Sequence, residues 1–281
     1  MRMPDANPTI LARRAEIVTE LRRRCPEPEA VIDDAEEIRA YEADGLAAYR
    51  QVPLAVVLPR TTEEVAAIMR YCHANRIPVL GRGAGTSLAG GAMPTADGVV
   101  VGLMKMRAVL DLDFENRTAT VEAGVTNIAV TQACEHEDFF YAPDPSSQLA
   151  CSIGGNVANN SGGAHCLKYG VTTNNLLGVK LVTIEGEIVE LGGKHLDAAG
   201  YDLLGLVCGS EGQLGIVTEV TVRILKAPPG ARPMLLGFAS NEQAGACVDA
   251  IIASGIIPVA LEFMDKPAIH AVEDFVHARS E

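Results

Sequence analysis

The 281-residue sequence predicts an α+β fold, and three patterns carry that prediction. A buried strand at 54–58, an amphipathic helix and a short strand at 78–80 follow the order of a parallel β-α-β unit. Residues 215–225 alternate between two faces, which is typical of a long, half-buried strand. The run Ala-Pro-Pro-Gly at 227–230 then predicts a linker to a second domain.

Capping signals and periodicity define the individual elements. Residues 9–24 are predicted to form an amphipathic helix, and Thr61 with Glu64 predicts a capping box at the start of the next one. Val65, Ile68, Met69 and Cys72 form the apolar stripe of that helix. The next predicted elements are strands at 98–102, 109–113 and 118–122, a helix at 126–136 and a hairpin of 179–183 with 187–191. Near the C-terminus, strands are predicted at 234–239 and 259–263, and the helix between them has Ala244, Val248, Ile251 and Ile252 on its inward face.

The chain divides into a helical segment at 1–50, a central domain at 51–227 and the start of a C-terminal domain at 231–281. A single β-α-β unit cannot cover the faces of its own sheet. The last domain is therefore expected to be unfinished at Glu281.

Composition favours small-molecule chemistry. The formal charge of −13 opposes nonspecific contact with nucleic acid or an anionic membrane, and 48% hydrophobic residues can bury a sizeable core. No apolar run has the length of a membrane span, and arginines interrupt the N-terminal segment, unlike a signal peptide. We expect a cytoplasmic protein. Its seven scattered cysteines lack a C-x-x-C pair, which predicts reduced, packed thiols and no metal site.

Two glycine-rich segments are the main functional signal: GRGAGTSLAGG at 81–91 and IGGNVANNSGG at 153–163. Glycine lets backbone N–H groups converge on an anion because no Cβ blocks the approach. Together the two segments predict a cradle for a large phosphorylated cofactor. Tight turns without a ligand are the alternative.

Neither segment fits the commoner nucleotide motifs. Leu88 stands where a dinucleotide-binding G-x-G-x-x-G would place its last glycine. Gly91 and Ala92 stand where a P-loop would place its lysine and its serine or threonine. Both classical NAD binding and ATP hydrolysis are therefore disfavoured.

Four stretches in this order resemble one family: YEADGLAAYR at 41–50, IPVLGRGAGTSLAGGA at 77–92, YAPDPSSQLACSIGGNVANNSGGAHCLKYG at 141–170 and GSEGQLGIVTEVTVRIL at 209–225. The chain resembles the FAD-binding oxidoreductases named for vanillyl-alcohol oxidase and p-cresol methylhydroxylase, and among them the FAD-linked subunits of bacterial glycolate oxidases. The resemblance runs from about residue 31 to the end. It implies a PCMH-type FAD-binding domain of two α/β subdomains with the cofactor between them, followed by the start of an α+β cap, or substrate, domain.

The resemblance also implies which residues hold FAD. The backbone amides of Arg82, Gly83, Ala84, Gly85, Thr86 and Ser87 would bind the pyrophosphate, and Pro143, Asp144 and Ser147 would lie along the cofactor. The residues near the ribityl chain and the flavin ring would be Gly154, Gly155, Asn156, Asn159 and Gly162. Those over the adenine end would be Glu211, Gly212, Gly215, Ile216 and Val217.

Thr86 and Ser87 stand where some relatives place a flavin-linking histidine, so the FAD is expected to be noncovalent. The implied activity is oxidation of a 2-hydroxy acid such as glycolate or D-lactate, by hydride transfer from its Cα to the flavin while a base takes the hydroxyl proton. The catalytic base is not assigned by the sequence. In the family, the clamp for the substrate carboxylate and in many members a divalent metal belong to the C-terminal half, so this chain alone is expected to be inactive.

The implied partners are an iron–sulfur subunit that takes the electrons and a second subunit of the FAD fold, which could also hold the protein at the inner face of the membrane. Two alternatives stay open: a D-lactate or D-2-hydroxyglutarate dehydrogenase of the same fold, and a noncatalytic FAD-binding fragment.

The remaining polar residues predict structure more than chemistry. His165, Lys168 and Tyr169 follow the second glycine-rich segment and are expected to order it, with approach to the flavin as the alternative. His270 and His277 are expected on a solvated helix face.

Overall fold

A computed structural model describes residues 3–195 and 200–277 of the chain. Residues 3–102 form a small α/β subdomain with a four-stranded sheet. Its elements are α1 (Pro8–Ala12), α2 (Arg14–Arg24), β1 (Val31–Ile32), a 3-10 turn (Glu37–Tyr41), β2 (Ala55–Val57), α3 (Thr62–Ala74), β3 (Val79–Arg82) and β4 (Val99–Gly102).

The strand order of this sheet is β1-β2-β4-β3. Strands β2 and β3 both pair in parallel with β4, and β1 adds antiparallel to β2. The predicted β-α-β unit is confirmed as β2-α3-β3, but β4 lies between its two strands. Residues 99–101 are three consecutive valines and are wholly buried, which suits a central parallel strand covered on both faces.

Helix α3 begins with a cap close to the predicted one. Thr61 Oγ1 accepts a hydrogen bond from the Glu64 N–H at 3.1 Å. The Glu64 carboxylate accepts from the N–H of Arg60 at 2.7 Å, one residue earlier than a capping box requires. The predicted stripe of Val65, Ile68, Met69 and Cys72 is buried in the core.

The predicted N-terminal helix is interrupted at Arg13, whose N–H bonds back to Ile10. Its longer part, α2, packs on α3 through Ile17 and Leu21, both wholly buried. This packing ties the N-terminal segment to the sheet, so it is part of the subdomain and not an appendage.

Residues 109–226 form a second subdomain around a five-stranded antiparallel sheet of order β5-β6-β10-β8-β9. Its elements are β5 (Val109–Asp113), β6 (Thr118–Glu122), α4 (Asn127–Cys134), a 3-10 turn (Glu135–Glu137), β7 (Phe139–Phe140), α5 (Ile153–Asn159), α6 (Cys166–Tyr169), α7 (Thr172–Asn175), β8 (Leu176–Val182), β9 (Ile188–Gly192), α8 (Leu203–Val207), β10 (Ile216–Arg223) and β11 (Leu225–Lys226), which pairs with β7.

Strand β10 contacts both subdomains. Its pairing with β8 slips between Val217 and Glu219, and the slip changes which face each side chain takes. Ile216 joins the hydrophobic cluster of the first subdomain, whereas Val217 joins Val220 in the cluster of the second. The predicted alternation placed Ile216 with Val220 and is wrong at that point because of the bulge.

A buried hydroxyl pair crosses between the subdomains at the same place. Thr62 Oγ1, at the start of α3, lies 3.0 Å from Thr218 Oγ1, which also donates to the Lys180 carbonyl at 3.3 Å. Both threonines are buried, and Thr218 Oγ1 is the hydrogen-bond acceptor for the buried Thr62 hydroxyl.

The C-terminal residues fold differently from the prediction. Two helices form, α9 (Asn241–Ala253) and α10 (Lys266–Val276), but the predicted strands at 234–239 and 259–263 do not. In the described part of the chain neither segment has a neighbouring strand to complete its backbone hydrogen bonds. Of the predicted inward face of α9 only Ala244 is buried; Val248 and Ile251 are half-buried and Ile252 is exposed.

All seven cysteines are free, and four of them are buried. Burial raises the pKa of Cys25 and of Cys72 to about 12, so both stay thiols at neutral pH. Within the described ranges, no helix combines the length and the apolar character that crossing a membrane requires.

We expect Leu21→Ala to destabilise the protein by about 2–5 kcal/mol, because it leaves a cavity between α2 and the core. Leu11, on α1, is 41% exposed, so Leu11→Ala is the matched control, with a change of about 0.5 kcal/mol or less. Urea unfolding followed by circular dichroism measures both. Equal shifts of the two midpoints would show that α2 does not pack as described.

Candidate functional site

The two glycine-rich segments meet between the subdomains, as the sequence predicted. A Cβ on Gly83 would collide with Ser152 Oγ, so glycine is required for this approach. On the other side of the contact, Ser87 Oγ lies 3.5 Å from Asn159 Oδ1.

Between the segments lies a solvent-open cavity of about 200 Å³, called here the cofactor cleft. Of the predicted site residues it is lined by Gly83, Ala84, Gly85, Thr86, Ser87, Ser147, Gly155, Asn156, Asn159, Glu211 and Gly212. The other lining residues were not among those that the resemblance implied, although four of them lie within the two predicted segments: Gly81, Gly91, Ala158 and Ser161 within them, and Ala92, Cys151 and Ser152 beside them.

The first segment contains a row of free backbone donors, and Gly83 to Ser87 of this row line the cleft. In the described part of the chain, none of the N–H groups from Gly83 to Leu88 donates a hydrogen bond to a protein acceptor. Gly85 is at φ +71°, a conformation that glycine adopts without strain. Successive free N–H groups in such a turn form an anion-binding concavity.

The segment at 41–50 holds this row in place. Asp44 is buried, and its carboxylate accepts the N–H groups of Gly90 at 2.8 Å and Leu46 at 2.9 Å. The N–H of Gly45 donates to the Ser87 carbonyl at 2.9 Å, and a Cβ on Gly45 would lie 2.9 Å from the Thr86 carbonyl oxygen. Sequence reasoning noted the motif at 41–50 but assigned no role to these two residues.

The second segment is a helix where a loop was expected. Helix α5 begins after Ser152, whose Oγ accepts the Gly155 N–H at 3.3 Å, and the left-handed residue Asn160 ends it. Ile153 and Val157 are buried one turn apart, which explains why the run folds as a helix despite its glycines.

The first N–H groups of α5 are already satisfied. Ile153 donates to the Val125 carbonyl at 2.8 Å and Gly154 to the Ala123 carbonyl at 2.9 Å. A Cβ on Gly154 would lie 2.7 Å from Ala123 Cβ, so this glycine serves helix-to-sheet packing and does not line the cleft. The start of α5 therefore does not provide a second row of free donors like the one in the first segment.

The asparagines of α5 bond within the protein. Asn156 accepts from Asn127 Nδ2 at 2.9 Å and donates to Cys151 Sγ at 3.3 Å, and Asn159 donates to the Gly155 carbonyl at 2.9 Å. Both still reach the cleft, and their contact with a ligand stays a prediction.

The residues at 209–217 divide between the cleft and the sheet. Glu211 is at φ +52°, and its carboxylate is the one charged side chain among the described lining residues. Gly212 lies beside it. A Cβ on Gly215 would collide with the Val182 carbonyl, and Ile216 packs under Gly81, so these two support the cleft from behind. Val217 is buried in the second hydrophobic cluster.

Four other predicted residues lie outside the lining. Pro143 accepts a hydrogen bond from Asn127 at its carbonyl, and a Cβ on Gly162 would collide with Cys166 Sγ. Asp144 accepts the His165 N–H at 3.0 Å; its other oxygen is 2.8 Å from His165 Nδ1, at an angle unsuited to a hydrogen bond. Arg82 lies behind the first segment, where burial lowers the pKa of its guanidinium.

The remaining polar residues that the sequence singled out, which follow the second segment or lie on the C-terminal helix, are structural or surface groups. The His165 and Tyr169 rings are 6.2 Å apart, and Lys168 Nζ is 5.4 Å from the Tyr169 ring centre; none of the three lines the cleft. His270 is exposed on α10 beside Glu273, and His277 is exposed at its end. Within the described residues, no three His, Cys, Asp or Glu side chains are grouped to hold a metal.

Two family models match the chain. The FAD binding domain model matches residues 53–192, and the model of the FAD linked oxidases, C-terminal domain, matches residues 227–281.

Curated relatives agree. Glycolate oxidase subunit GlcD of Escherichia coli is 52% identical, over 94% of this chain and 53% of the relative. GlcD of Bacillus subtilis is 43% identical over 84% of this chain and 50% of its own, and D-lactate dehydrogenase of Anaerostipes hadrus is 36% identical over 93% and 55%. The chain thus spans about half the length of these relatives.

Among solved structures, an alkyldihydroxyacetonephosphate synthase superposes with a TM-score of 0.75 at 22% identity, over 92% of this chain and 48% of that one. That likeness concerns the fold. Two subdomains that meet at a row of free N–H groups fit a protein that binds a phosphorylated cofactor between them. With both family models matched, the chain belongs to the FAD-linked oxidases, a family whose cofactor is FAD.

We expect Gly85→Val or Gly155→Val to lower flavin occupancy roughly tenfold or more. A tenfold loss corresponds to about 1.4 kcal/mol of binding free energy. At Gly85 a side chain meets the Arg82 guanidinium and is strained at φ +71°; at Gly155 it projects beside the cleft, 3.2 Å from Ser152 Oγ. Gly245 on α9 has open space around it, so Gly245→Val is the control. Full flavin content in both cleft variants would show that the cofactor lies elsewhere.

Proposed function

We propose that this chain binds FAD in the cofactor cleft and is the FAD-carrying part of a 2-hydroxy-acid oxidoreductase. The row of free N–H groups from Gly83 to Leu88 is the observation that carries the proposal. Backbone N–H groups without a protein acceptor are available to bind an anion, and a phosphate oxygen would accept hydrogen bonds from them.

The lining suits a pyrophosphate held without a basic side chain. Thr86, Ser87, Ser147, Ser152 and Ser161 add hydroxyl groups to the backbone donors. In this assignment the first segment would hold the pyrophosphate, and residues of α5 would lie along the flavin. Glu211 and Gly212 would lie at the adenosine end, where the carboxylate would accept hydrogen bonds from sugar hydroxyls.

FAD supplies the redox chemistry by accepting a hydride from the substrate carbon. The residues of this chain bind and orient the cofactor and shield one side of it from water. A 2-hydroxy acid as substrate is supported by the names of the relatives: glycolate oxidase, D-lactate dehydrogenase and, at 38% identity over 73% of this chain, D-2-hydroxyglutarate dehydrogenase of Xanthomonas citri. Glycolate is our first choice because the GlcD relatives are the more similar ones.

We further propose that the protein works in the cytoplasm as one subunit of a complex, and that its electrons leave through an iron–sulfur subunit beside a second subunit of the FAD fold. The word subunit in the names of the GlcD relatives supports an assembly. Co-purification with a tagged copy from its own cells tests this part.

The purified chain is expected to carry a flavin with the visible spectrum of the oxidised form. Acid precipitation should release all of it into the supernatant as FAD, because the cleft offers Thr86 and Ser87 hydroxyls in place of an imidazole. Flavin fluorescence that stays with the protein band on a denaturing gel would contradict noncovalent binding. A supernatant that contains no flavin, from a folded protein given FAD, would contradict the binding itself.

Glycolate, D-lactate and D-2-hydroxyglutarate are not expected to bleach the flavin of this chain rapidly under anaerobic conditions. None of the described lining residues is a Lys, Arg or His that could pair with a substrate carboxylate, and loss of orientation alone removes several orders of magnitude in rate. Dithionite is the control that shows the flavin to be reducible. Rapid bleaching by one of the acids would place the substrate groups within these residues and identify the substrate.

A further inference from the structure

We propose that the Arg82 side chain is a positioning residue for the cofactor phosphates, a buried positive charge that acts through the N–H groups of residues 83–88. The proposal rests on FAD binding in the cofactor cleft and adds the element that recognises its charge.

The Arg82 side chain is buried and forms no direct ion pair with a carboxylate of the described residues. The residue is only 7% exposed, and its Nη1 donates to the Ala92 carbonyl at 3.0 Å. The carboxylate of Asp44, whose two oxygens accept backbone N–H groups, acts on Arg82 through its charge and compensates part of the positive charge. A buried charge of this kind is destabilising unless something compensates it.

The guanidinium lies directly behind the free donors. A Cβ on Gly85 would collide with it, so the planar group rests against the backbone of the turn at Gly85. The guanidinium carbon, Cζ of Arg82, is 5.7 Å from the centre of the Tyr41 ring. Arg82 does not line the cleft itself, and the peptide groups of the first segment separate it from the ligand.

This placement increases the affinity of the cleft for anions. A positive charge one peptide layer away adds to the positive ends of the N–H dipoles, and partial burial keeps the interaction from being screened by water. A bound pyrophosphate would in turn compensate the buried guanidinium. The lining contains one carboxylate and no basic side chain, so Arg82 is the cationic group placed to offset that carboxylate.

A purely structural role is the competing explanation, because the hydrogen bond to Ala92 also holds the two ends of the first segment together. Charge and hydrogen bonding can be separated. Arg82→Gln keeps a neutral donor and removes the charge, whereas Arg82→Lys keeps the charge. Arg14 is the matched control: it is half-buried, donates to the Leu54 carbonyl at 3.1 Å and does not line the cleft.

The experiment measures FAD binding to the flavin-free full chain by fluorescence quenching, at several salt concentrations, together with the thermal midpoint of each flavin-free protein. We expect the Kd for FAD to rise roughly 10- to 100-fold in Arg82→Gln at each salt concentration, because a buried charge is little screened, and to stay within roughly threefold in Arg82→Lys and Arg14→Gln. The midpoint of Arg82→Gln should not fall below that of Arg82→Lys.

Equal losses in Arg82→Gln and Arg82→Lys, with lowered midpoints in both, would assign Arg82 a structural role and overturn the inference. Unchanged FAD affinity in Arg82→Gln would overturn it as well, and the proposed function would stand. If the unaltered chain binds no FAD, the proposed function itself fails.

Discussion

The N–H groups of residues 83–88 have no protein acceptor, and the surrounding structure keeps them so. A flexible loop would turn such groups toward water or toward its own carbonyls. Here Asp44 and Gly45 hold one side of the loop through backbone hydrogen bonds, and the contact of Gly83 with Ser152 holds the other. Binding energy is gained because the donors are already oriented before a ligand arrives.

The support behind the first segment depends on the contact between the two subdomains. Ile216 packs under Gly81 in the first hydrophobic cluster, while the following residues of the same strand belong to the second cluster. The bulge after Val217 makes this possible, and the buried hydroxyl pair of Thr62 and Thr218 lies beside it. The cleft is therefore framed by rigid elements, with its polar groups at their ends, which is the usual arrangement of a ligand site on a scaffold.

The local signals of the sequence predicted most of the elements, because capping and periodicity are short-range properties. The cap at Thr61 and the hairpin through residues 184–186 are examples. The secondary-structure predictions that were wrong concern segments whose structure depends on neighbouring elements. The apolar runs at 234–239 and 259–263 remain unpaired, since a strand exists only with a partner. The run at 153–159 contains glycines that suggested a loop, yet Ile153 and Val157 make it a helix. The supporting role of Asp44 and Gly45 could not be derived from spacing, because Asp44 and Gly90 are 46 positions apart in the sequence.

Net charge explains why recognition has to be local. The chain carries a formal charge of −13, and FAD brings two more negative charges, so the overall field opposes their encounter. At physiological salt, charges beyond about 8 Å are largely screened, and the groups in contact with the ligand decide the outcome. Backbone donors carry no net charge and therefore do not offset the Glu211 carboxylate on the same cleft. In our proposal the Arg82 guanidinium behind those donors offsets that carboxylate, and its burial keeps it apart from the carboxylates of the protein surface.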